Sequence, residues 1–219
     1  MAKWPGGGKG RIDTLVHAIE FMIYLASQSP RRRQLLEQLG IVFDVLDVDI
    51  DEVRAEGEPE LEYVNRVARE KAGAGFIQVA AVAGALVIAA DTEVVLDGEV
   101  FGKPRDAADA AAMLARLGGR THRVVSVVWC VGAAAEERAV SISEVSFAPF
   151  GPGQIEAYVA TGEPFGKAGA YAIQGRAAAF VSHLSGSYSG VMGLPLHETS
   201  QLLHRFQRKW TSNAGSSPP

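Results

Sequence analysis

The 219-residue sequence contains only one cysteine, Cys130. A single thiol cannot close an internal disulfide, and no Cys/His cluster has the spacing of zinc ligands. Cys130 lies inside an apolar, strand-like run, so we expect it to act as a small buried hydrophobic residue. This sparing use of cysteine is typical of a reducing compartment, and we therefore expect a cytoplasmic location.

Long apolar runs and an excess of positive charge are also missing. No segment is apolar over the length that spans a bilayer, so we expect no membrane partner. Basic residues occur near the N-terminus, but His17 and Glu20 interrupt the apolar part that a signal peptide needs. The formal net charge is -4, whereas non-specific binding to nucleic acid needs a basic face. We therefore expect no nucleic-acid partner either.

The composition indicates a globular protein. Hydrophobic residues make up 47% of the chain, which excludes a wholly disordered protein. The length suits one α/β domain with a sizeable core, which we place at residues 21–210. Both ends contain stretches of linker-like composition, so we expect residues 1–20 to be a disordered extension and residues 211–219 a disordered tail.

The most informative stretch, residues 86–104, reads LVIAADTEVVLDGEVFGKP. Its first apolar run stops at the polar pair Asp91-Thr92, and Asp97-Gly98 is a hairpin turn signal. We interpret Asp91 as a carboxylate at the end of a buried strand, with Lys103 returning beside it. Such a place suits a metal ion and a phosphate together. The same residues fit equally well a turn-forming aspartate and a solvated lysine.

A second candidate site is a strand, turn and helix at residues 21–40. Ser29 is suited to the N-cap of the helix and Pro30 to its first position. Arg31 and Arg32 then lie in the first turn, where the helix dipole disfavours cations. A bound anion would remove that cost, so we interpret this turn as an anion site. The alternative is a solvated basic turn.

Two further segments carry charges of undecided role. Residues 41–50 alternate like a strand and run into a crowd of carboxylates that includes Glu52. This is either an exposed acidic loop, or one carboxylate faces a metal beside Asp91. Residues 60–76 predict a helix whose charged residues include Lys71. Lys71 has the length to reach bound phosphates, but the helical pattern alone favours a solvent-exposed position.

The remaining segments predict mainly helices and strands that support the fold. Asp106 is placed to cap an alanine-rich helix that ends at Leu117. Residues 121–131 and 138–150 predict two antiparallel strands. Residues 161–175 form a glycine-rich segment with little periodicity, and such long loops are often functional.

Several blocks resemble the Maf family of nucleoside triphosphate pyrophosphatases, in the family's order. They include LASQSPRRRQLLEQLG at residues 25–40, AADTEVVLDGEVFGKP at residues 89–104 and EAYVATGEPFGKAGAYAIQG at residues 156–175. Several blocks together are far more specific than one short motif. The resemblance implies an α/β fold similar to that of inosine-triphosphate pyrophosphatases. A mixed, elongated β-sheet is flanked by helices in two lobes, with a central cleft.

The resemblance also implies catalytic roles. Asp91 corresponds to the family's proton acceptor. Glu52 and Asp91 lie on the metal side of the site, and the implied cofactor is a divalent cation, Mg2+ or Mn2+. Lys71 and Lys103 correspond to the lysines that assist catalysis at the triphosphate. The residues expected to bind the phosphates are Ser27, Arg31, Arg32, Lys71 and Lys103.

The segment GKAGAYAIQG resembles family members that hydrolyse dTTP and UTP to the monophosphate and pyrophosphate, which keeps non-standard nucleotides out of nucleic acids. Arg31, Thr92 and Gln174 occupy the positions tied to specificity, and a Gln amide can pair with the edge of thymine or uracil. The alternatives are a 7-methyl-GTP type of pyrophosphatase, or a nucleotide-sensing regulator of septum formation and cell division. The resemblance also implies a homodimer.

Overall fold

A computed structural model describes residues 21–214. Within that range seven strands form one mixed sheet, in the order β2-β1-β3-β5-β6-β7, with the short β4 also paired to β3. The strands are β1 (Met22–Ala26), β2 (Asp44–Leu46), β3 (Ala85–Leu96), β4 (Glu99–Val100), β5 (Thr121–Gly132), β6 (Ala135–Phe147) and β7 (Val181–Ser185). Strands β2, β1 and β3 run parallel, and the remaining pairs are antiparallel.

Helices cover the sheet: α1 (Pro30–Gln38), α2 (Glu60–Val79), α3 (Ala107–Leu117), α4 (Pro152–Val159), α5 (Tyr188–Met192) and α6 (Leu196–Ala214). The predicted cap of α3 is confirmed, because the Asp106 carboxylate accepts the Asp109 N–H at 2.8 Å. Helix α6 continues four residues past the predicted domain end at residue 210. The predicted N-terminal extension, residues 1–20, and the end of the predicted tail, residues 215–219, lie outside the described residues.

Buried side chains form separate clusters at the two ends of β3. Near its start, residues of β1, α1 and α6 pack together, among them Leu25, Leu36, Ile88, Leu202 and Phe206. Near its far end, residues of α3, α4 and β6 form a second cluster that includes Val94, Leu114, Phe147, Tyr158 and Tyr171. Helix α2 covers the other face of β3 and β5. The expected mixed α/β architecture with helices flanking one sheet is confirmed.

Strand β3 corrects one prediction. Asp91 does not end a strand, because β3 continues for five more residues to Leu96. The cause is the antiparallel strand β5, which pairs with β3 continuously from Leu86 to Val95. This long-range partner supplies backbone hydrogen bonds through the polar pair, so the change from apolar to polar residues does not mark a strand end.

The other edge of β3 is incomplete, and this positions the site. Strand β1 pairs with β3 only as far as Ile88, and β4 joins that edge only at Val95. Between them, within residues 21–214, Ala89 to Glu93 have no strand on that side. The gap lies beyond the carboxyl end of the parallel strand β1, where α/β sheets commonly bind ligands.

Other boundaries differ from the sequence predictions at the sheet edges. The predicted strand at residues 41–50 shrinks to the three residues of β2, because β2 is an edge strand that pairs only with the last part of β1. Val42, which alternation assigned to a strand, is exposed.

Two glycines in α2 test how tightly this helix packs on the sheet. A Cβ on Gly75 would lie 2.8 Å from the Ala26 Cβ and 3.0 Å from the Val87 Cγ1, whereas a Cβ on Gly73 meets nothing within 4 Å. We expect Gly75→Ala to lower the free energy of unfolding by about 1–3 kcal/mol through overpacking. Gly73→Ala should raise it by about 0.5–1 kcal/mol through helix propensity. Urea denaturation measures both, and equal effects of the two substitutions would contradict this packing.

Candidate active site

One cleft gathers the residues that the sequence singled out. It has a volume of about 310 Å3 and lies at the open edge of β3, between the two core clusters. Its lining includes each predicted site residue: Ser27, Arg31, Arg32, Glu52, Lys71, Asp91, Thr92, Lys103 and Gln174. The structure therefore brings all of these residues to one cleft, while the catalytic or binding role assigned to each stays a prediction.

A chain of ion pairs crosses the carboxylate side of the cleft. The Lys71 Nζ lies 2.8 Å from the Asp91 Oδ1 and 2.6 Å from the Glu52 Oε1. The Lys103 Nζ lies 2.8 Å from the other oxygen of Glu52, Oε2. Lys71 thus joins helix α2 to strand β3 and to the loop after β2, and Lys103 joins that loop to the segment after β4.

The burial of Lys71 overturns the prediction made from the helical pattern alone. Lys71 is 9% exposed, on the face of α2 that packs against the sheet and not on its solvent face. An isolated buried ammonium is costly, and it persists here because two carboxylates flank it. Both carboxylates come from distant parts of the chain, so the pattern within the helix carries no sign of them.

Glu52 is held in its ionised form. Its partial burial raises the pKa, but hydrogen bonds from Lys103 and Lys71 outweigh that effect and bring the pKa to about 2. The carboxylate is therefore charged throughout the neutral range, with each of its oxygens on a lysine.

Positive charge is concentrated on the opposite side of the cleft. Burial lowers the pKa of Arg31, and the charge of neighbouring Arg32 lowers it further. Burial, then the charge of Arg31, also lowers the pKa of Lys167. Arg32 is held in place by donating from Nε to the Gly193 carbonyl at 2.9 Å and from Nη1 to the Ser27 Oγ at 3.3 Å. Arg31 is thus repelled by Arg32 and Lys167 by Arg31, and a polyanion would relieve that repulsion.

The N-terminus of α1 adds to this positive end. Ser29 and Pro30 occupy the predicted N-cap and first helical positions, but the Ser29 side chain makes no capping hydrogen bond. Instead, the Ser29 N–H donates to the Ser27 Oγ at 3.3 Å. Because no side chain caps this helix, its first N–H groups and the positive end of its dipole remain available at the cleft, which Ser29 and Pro30 line.

Thr92 points to the other face of β3 from Asp91, since successive strand residues alternate. Its hydroxyl shares a hydrogen bond with the Ser126 Oγ at 2.8 Å, and Ser126 donates to the Gly190 carbonyl at 2.7 Å. Through these contacts β3 and β5 fix the segment around α5. Thr92 therefore lines the cleft from a rigid support.

The glycine-rich segment forms the wall opposite. Gly169 has a φ of 65°, and a Cβ there would meet the Val94 side chain at 2.8 Å, so the segment lies directly on β3. The Glu163 carboxylate accepts the Tyr158 hydroxyl at 2.8 Å and the Arg176 N–H at 3.0 Å. These bonds bracket the segment that presents Gln174, whose exposed side chain stands at the rim of the cleft.

Sequence reasoning missed two charged residues of the cleft, Glu93 and Lys167. Glu93 follows Asp91 by two residues and therefore shares its face of β3. Burial and the nearby Asp91 charge raise the pKa of Glu93 to about 8. The alternation of a strand was the signal that could have found Glu93. For Lys167 no comparable signal exists in the sequence, since it is simply a lysine within the glycine-rich segment.

The carboxylates of the cleft fit a divalent cation. The Asp91 Oδ2 and the Glu93 Oε2 are buried and have no hydrogen-bond partner within the described part of the chain. Oxygen donors of this kind are the ligands that Mg2+ and Mn2+ take. Among residues 21–214 no group of three or more His, Cys, Asp or Glu side chains could hold a metal. Phosphate and water oxygens would therefore have to complete the shell, as is usual for Mg2+.

Comparison with known proteins decides the family. A family model described as Maf-like protein matches residues 22–206. The chain belongs to the Maf family. In the part of the Maf chain that the structure describes, no helix combines the length and apolar character needed to cross a bilayer.

Named relatives of this Maf chain are pyrophosphatases. A nucleoside triphosphate pyrophosphatase of Xylella fastidiosa (strain 9a5c) is 58% identical over 187 residues, which covers 85% of this chain and 99% of that protein. The dTTP/UTP pyrophosphatase of Xanthomonas axonopodis pv. citri (strain 306) is 58% identical, covering 84% of this chain and 98% of that protein. The structure of a Staphylococcus aureus Ham1 protein matches with 20% identity and a TM-score of 0.35, over 57% of this chain and 70% of that chain. That overlap is too small to carry an argument.

Proposed function

We propose that this Maf protein hydrolyses nucleoside triphosphates, dTTP and UTP foremost, to the monophosphate and pyrophosphate. The observation that carries the proposal is one cleft with a repelling group of cations on one side and the paired Lys71, Asp91 and Glu52 on the other. The dTTP/UTP pyrophosphatases that share 56–58% identity with the chain support the choice of substrate.

The charges of the cleft suit a triphosphate. Arg31, Arg32 and Lys167 lack a carboxylate partner among the ion pairs described, so their charge is available to phosphate oxygens. Lys103 is more than half exposed and paired with Glu52 at the cleft mouth, where it can turn toward a leaving pyrophosphate. Fixed cations aimed at developing negative charge stabilise the transition state of phosphoryl transfer.

The surroundings of Asp91 support a role as proton acceptor. Lys71 holds its Oδ1 at 2.8 Å, which fixes the orientation of the carboxylate. Its Oδ2 remains buried and without a hydrogen-bond partner within residues 21–214. In the proposed reaction Oδ2 takes the proton of a water that attacks the α-phosphorus, and pyrophosphate leaves toward the cationic residues.

A divalent cation belongs to the proposal. The carboxylates that could hold it are Asp91 with Glu52, as the family resemblance implies, or Asp91 with Glu93, whose free oxygen the structure reveals. When bound, such an ion neutralises phosphate charge and acidifies a coordinated water. Lys71 would then keep Asp91 oriented while phosphate oxygens approach from the open side of the cleft.

In this proposal, the glycine-rich segment at residues 161–175 selects the nucleotide by its base. Gln174 stands exposed at the cleft rim and presents both a carbonyl oxygen and an amide donor. That combination complements the donor and acceptor edge of thymine and uracil. We therefore place a pyrimidine base against Gln174, between Arg31 on α1 and Thr92 on β3.

The cellular side of the proposal rests on the family. We propose that the enzyme acts in the cytoplasm, as a homodimer, and removes pyrimidine nucleotides that should not enter nucleic acids. A purely sensing protein does not need a buried lysine that orients a free carboxylate oxygen, so Lys71 and Asp91 favour catalysis over sensing alone.

Replacing the proposed base tests the mechanism. We expect Asp91→Asn to lower kcat about 100- to 10,000-fold, because the amide cannot accept the proton. The matched control is Asp97→Asn, which changes an exposed aspartate in the turn that ends the same strand. The measurement is pyrophosphate release from dTTP in the presence of Mg2+ or Mn2+. An Asp91→Asn enzyme with wild-type turnover, or release of orthophosphate in place of pyrophosphate, would contradict the proposal.

Replacing Gln174 tests base selection. We expect Gln174→Ala to lower the preference for dTTP and UTP over GTP roughly fivefold in kcat/KM, since a hydrogen bond is worth about 1 kcal/mol. The control Gln201→Ala removes an exposed glutamine of α6, outside the cleft, and should change nothing. If Gln174→Ala keeps the wild-type ratios across a panel of triphosphates, then Gln174 does not read the base.

A further inference from the structure

Glu93 is a buried carboxylate of the cleft that the proposed reaction does not yet use. It is 6% exposed and Asp91 is 5% exposed. Both lie on the same face of β3, and two residues of a strand span about 7 Å. Both side chains line the cleft, so the pair faces the place where the phosphates would lie.

Each of these two carboxylates presents an unused oxygen. The Asp91 Oδ2 and the Glu93 Oε2 are buried and make no hydrogen bond within the described residues. Asp91 is compensated by Lys71, whereas no ion pair to Glu93 occurs in that part of the chain. The backbone of Gly102 donates to the Glu93 carboxyl group, but its Oε2 remains bare, and a buried oxygen of this kind is costly unless a cation or a donor joins it.

Glu52 is in the opposite situation. Its Oε1 lies 2.6 Å from the Lys71 Nζ and its Oε2 lies 2.8 Å from the Lys103 Nζ. A metal ion at Glu52 would have to displace an ammonium group or share an oxygen with one, whose positive charge repels it. The two unpartnered oxygens on β3 require no such displacement.

We propose that Glu93, and not Glu52, is the second carboxylate that holds the divalent cation beside Asp91. The inference rests on the proposed function, because the ion completes its shell with phosphate and water oxygens. Glu52 then acts as a positioning residue that keeps Lys71 and Lys103 directed at the cleft. Because Lys71 holds the Asp91 Oδ1, the ion and the proton would use the same oxygen of Asp91, Oδ2, one after the other.

Direct binding of Mn2+ tests this assignment without reference to turnover. Electron paramagnetic resonance measures free Mn2+ during titration of the wild type, Glu93→Gln and Glu52→Gln, each alone and with the non-hydrolysable α,β-imido-dTTP. We expect Glu93→Gln to weaken Mn2+ binding about 10- to 100-fold. Glu52→Gln should weaken it less than about threefold, as should the control Glu156→Gln, which changes an exposed carboxylate on α4.

Thermal unfolding gives a second readout and guards against misfolding. Without metal, Glu93→Gln should melt at or above the wild-type temperature, because a buried carboxyl group without a cationic partner is replaced by a neutral amide. With Mn2+, the rise in melting temperature seen for the wild type should be lost in Glu93→Gln and reduced in Glu93→Asp. Wild-type Mn2+ affinity in both Glu93 variants would overturn the assignment, as would loss of binding in Glu52→Gln alone.

The outcomes separate this inference from the proposed function. A wild type that binds Mn2+ through Glu93 but releases no pyrophosphate from any triphosphate supports the ion site and contradicts the activity. A wild type that releases pyrophosphate while Glu93→Gln keeps full Mn2+ affinity contradicts the ion site alone.

Discussion

The ammonium of Lys71, held between Asp91 and Glu52, is the interaction on which the rest of the site depends. It joins the buried face of α2 to the middle of β3 and to the loop after β2. Because a buried lysine without carboxylates would be costly, helix, strand and loop must come together for the site to exist. The same bond leaves one oxygen of Asp91 free, so the contact that stabilises the fold also orients the candidate base.

The sheet supplies the space around this contact. Strand β3 is long because β5 pairs with it from Leu86 to Val95, yet its other edge is open between β1 and β4. Polar side chains on both faces of the open stretch therefore reach one cleft. Asp91 faces α2, and Thr92 faces the segment around α5. In the proposed reaction, one nucleotide would therefore meet the candidate proton acceptor on one face of β3 and a residue that contacts its pyrimidine ring on the other.

Much of this could be predicted from local sequence. The Asp106 cap, the hairpin at Asp97-Gly98 and the β5–β6 pair each depend on neighbouring residues, and each is confirmed. The family resemblance brought the candidate site residues together, including Lys71, which helical periodicity had assigned to solvent. What failed depended on distant partners: β5 carries β3 past Asp91, and two remote carboxylates bury Lys71. Glu93 was missed because Asp91 was taken as the end of its strand, so the alternation that puts Glu93 on the same face was not applied, and only the completed cleft shows its free oxygen.

The account depends on one statement: a nucleotide's phosphates and a divalent ion bind in the cleft that Lys71 organises. A crystal structure with Mn2+ and α,β-imido-dTTP tests it most directly. We predict electron density for the phosphates between Arg31 and Lys103, with Mn2+ against the carboxylates of β3 and the base toward Gln174. Density for the analogue outside this cleft, for example in the apolar groove between Phe21 and Phe206, with the Lys71 ion pairs unchanged, would contradict the account.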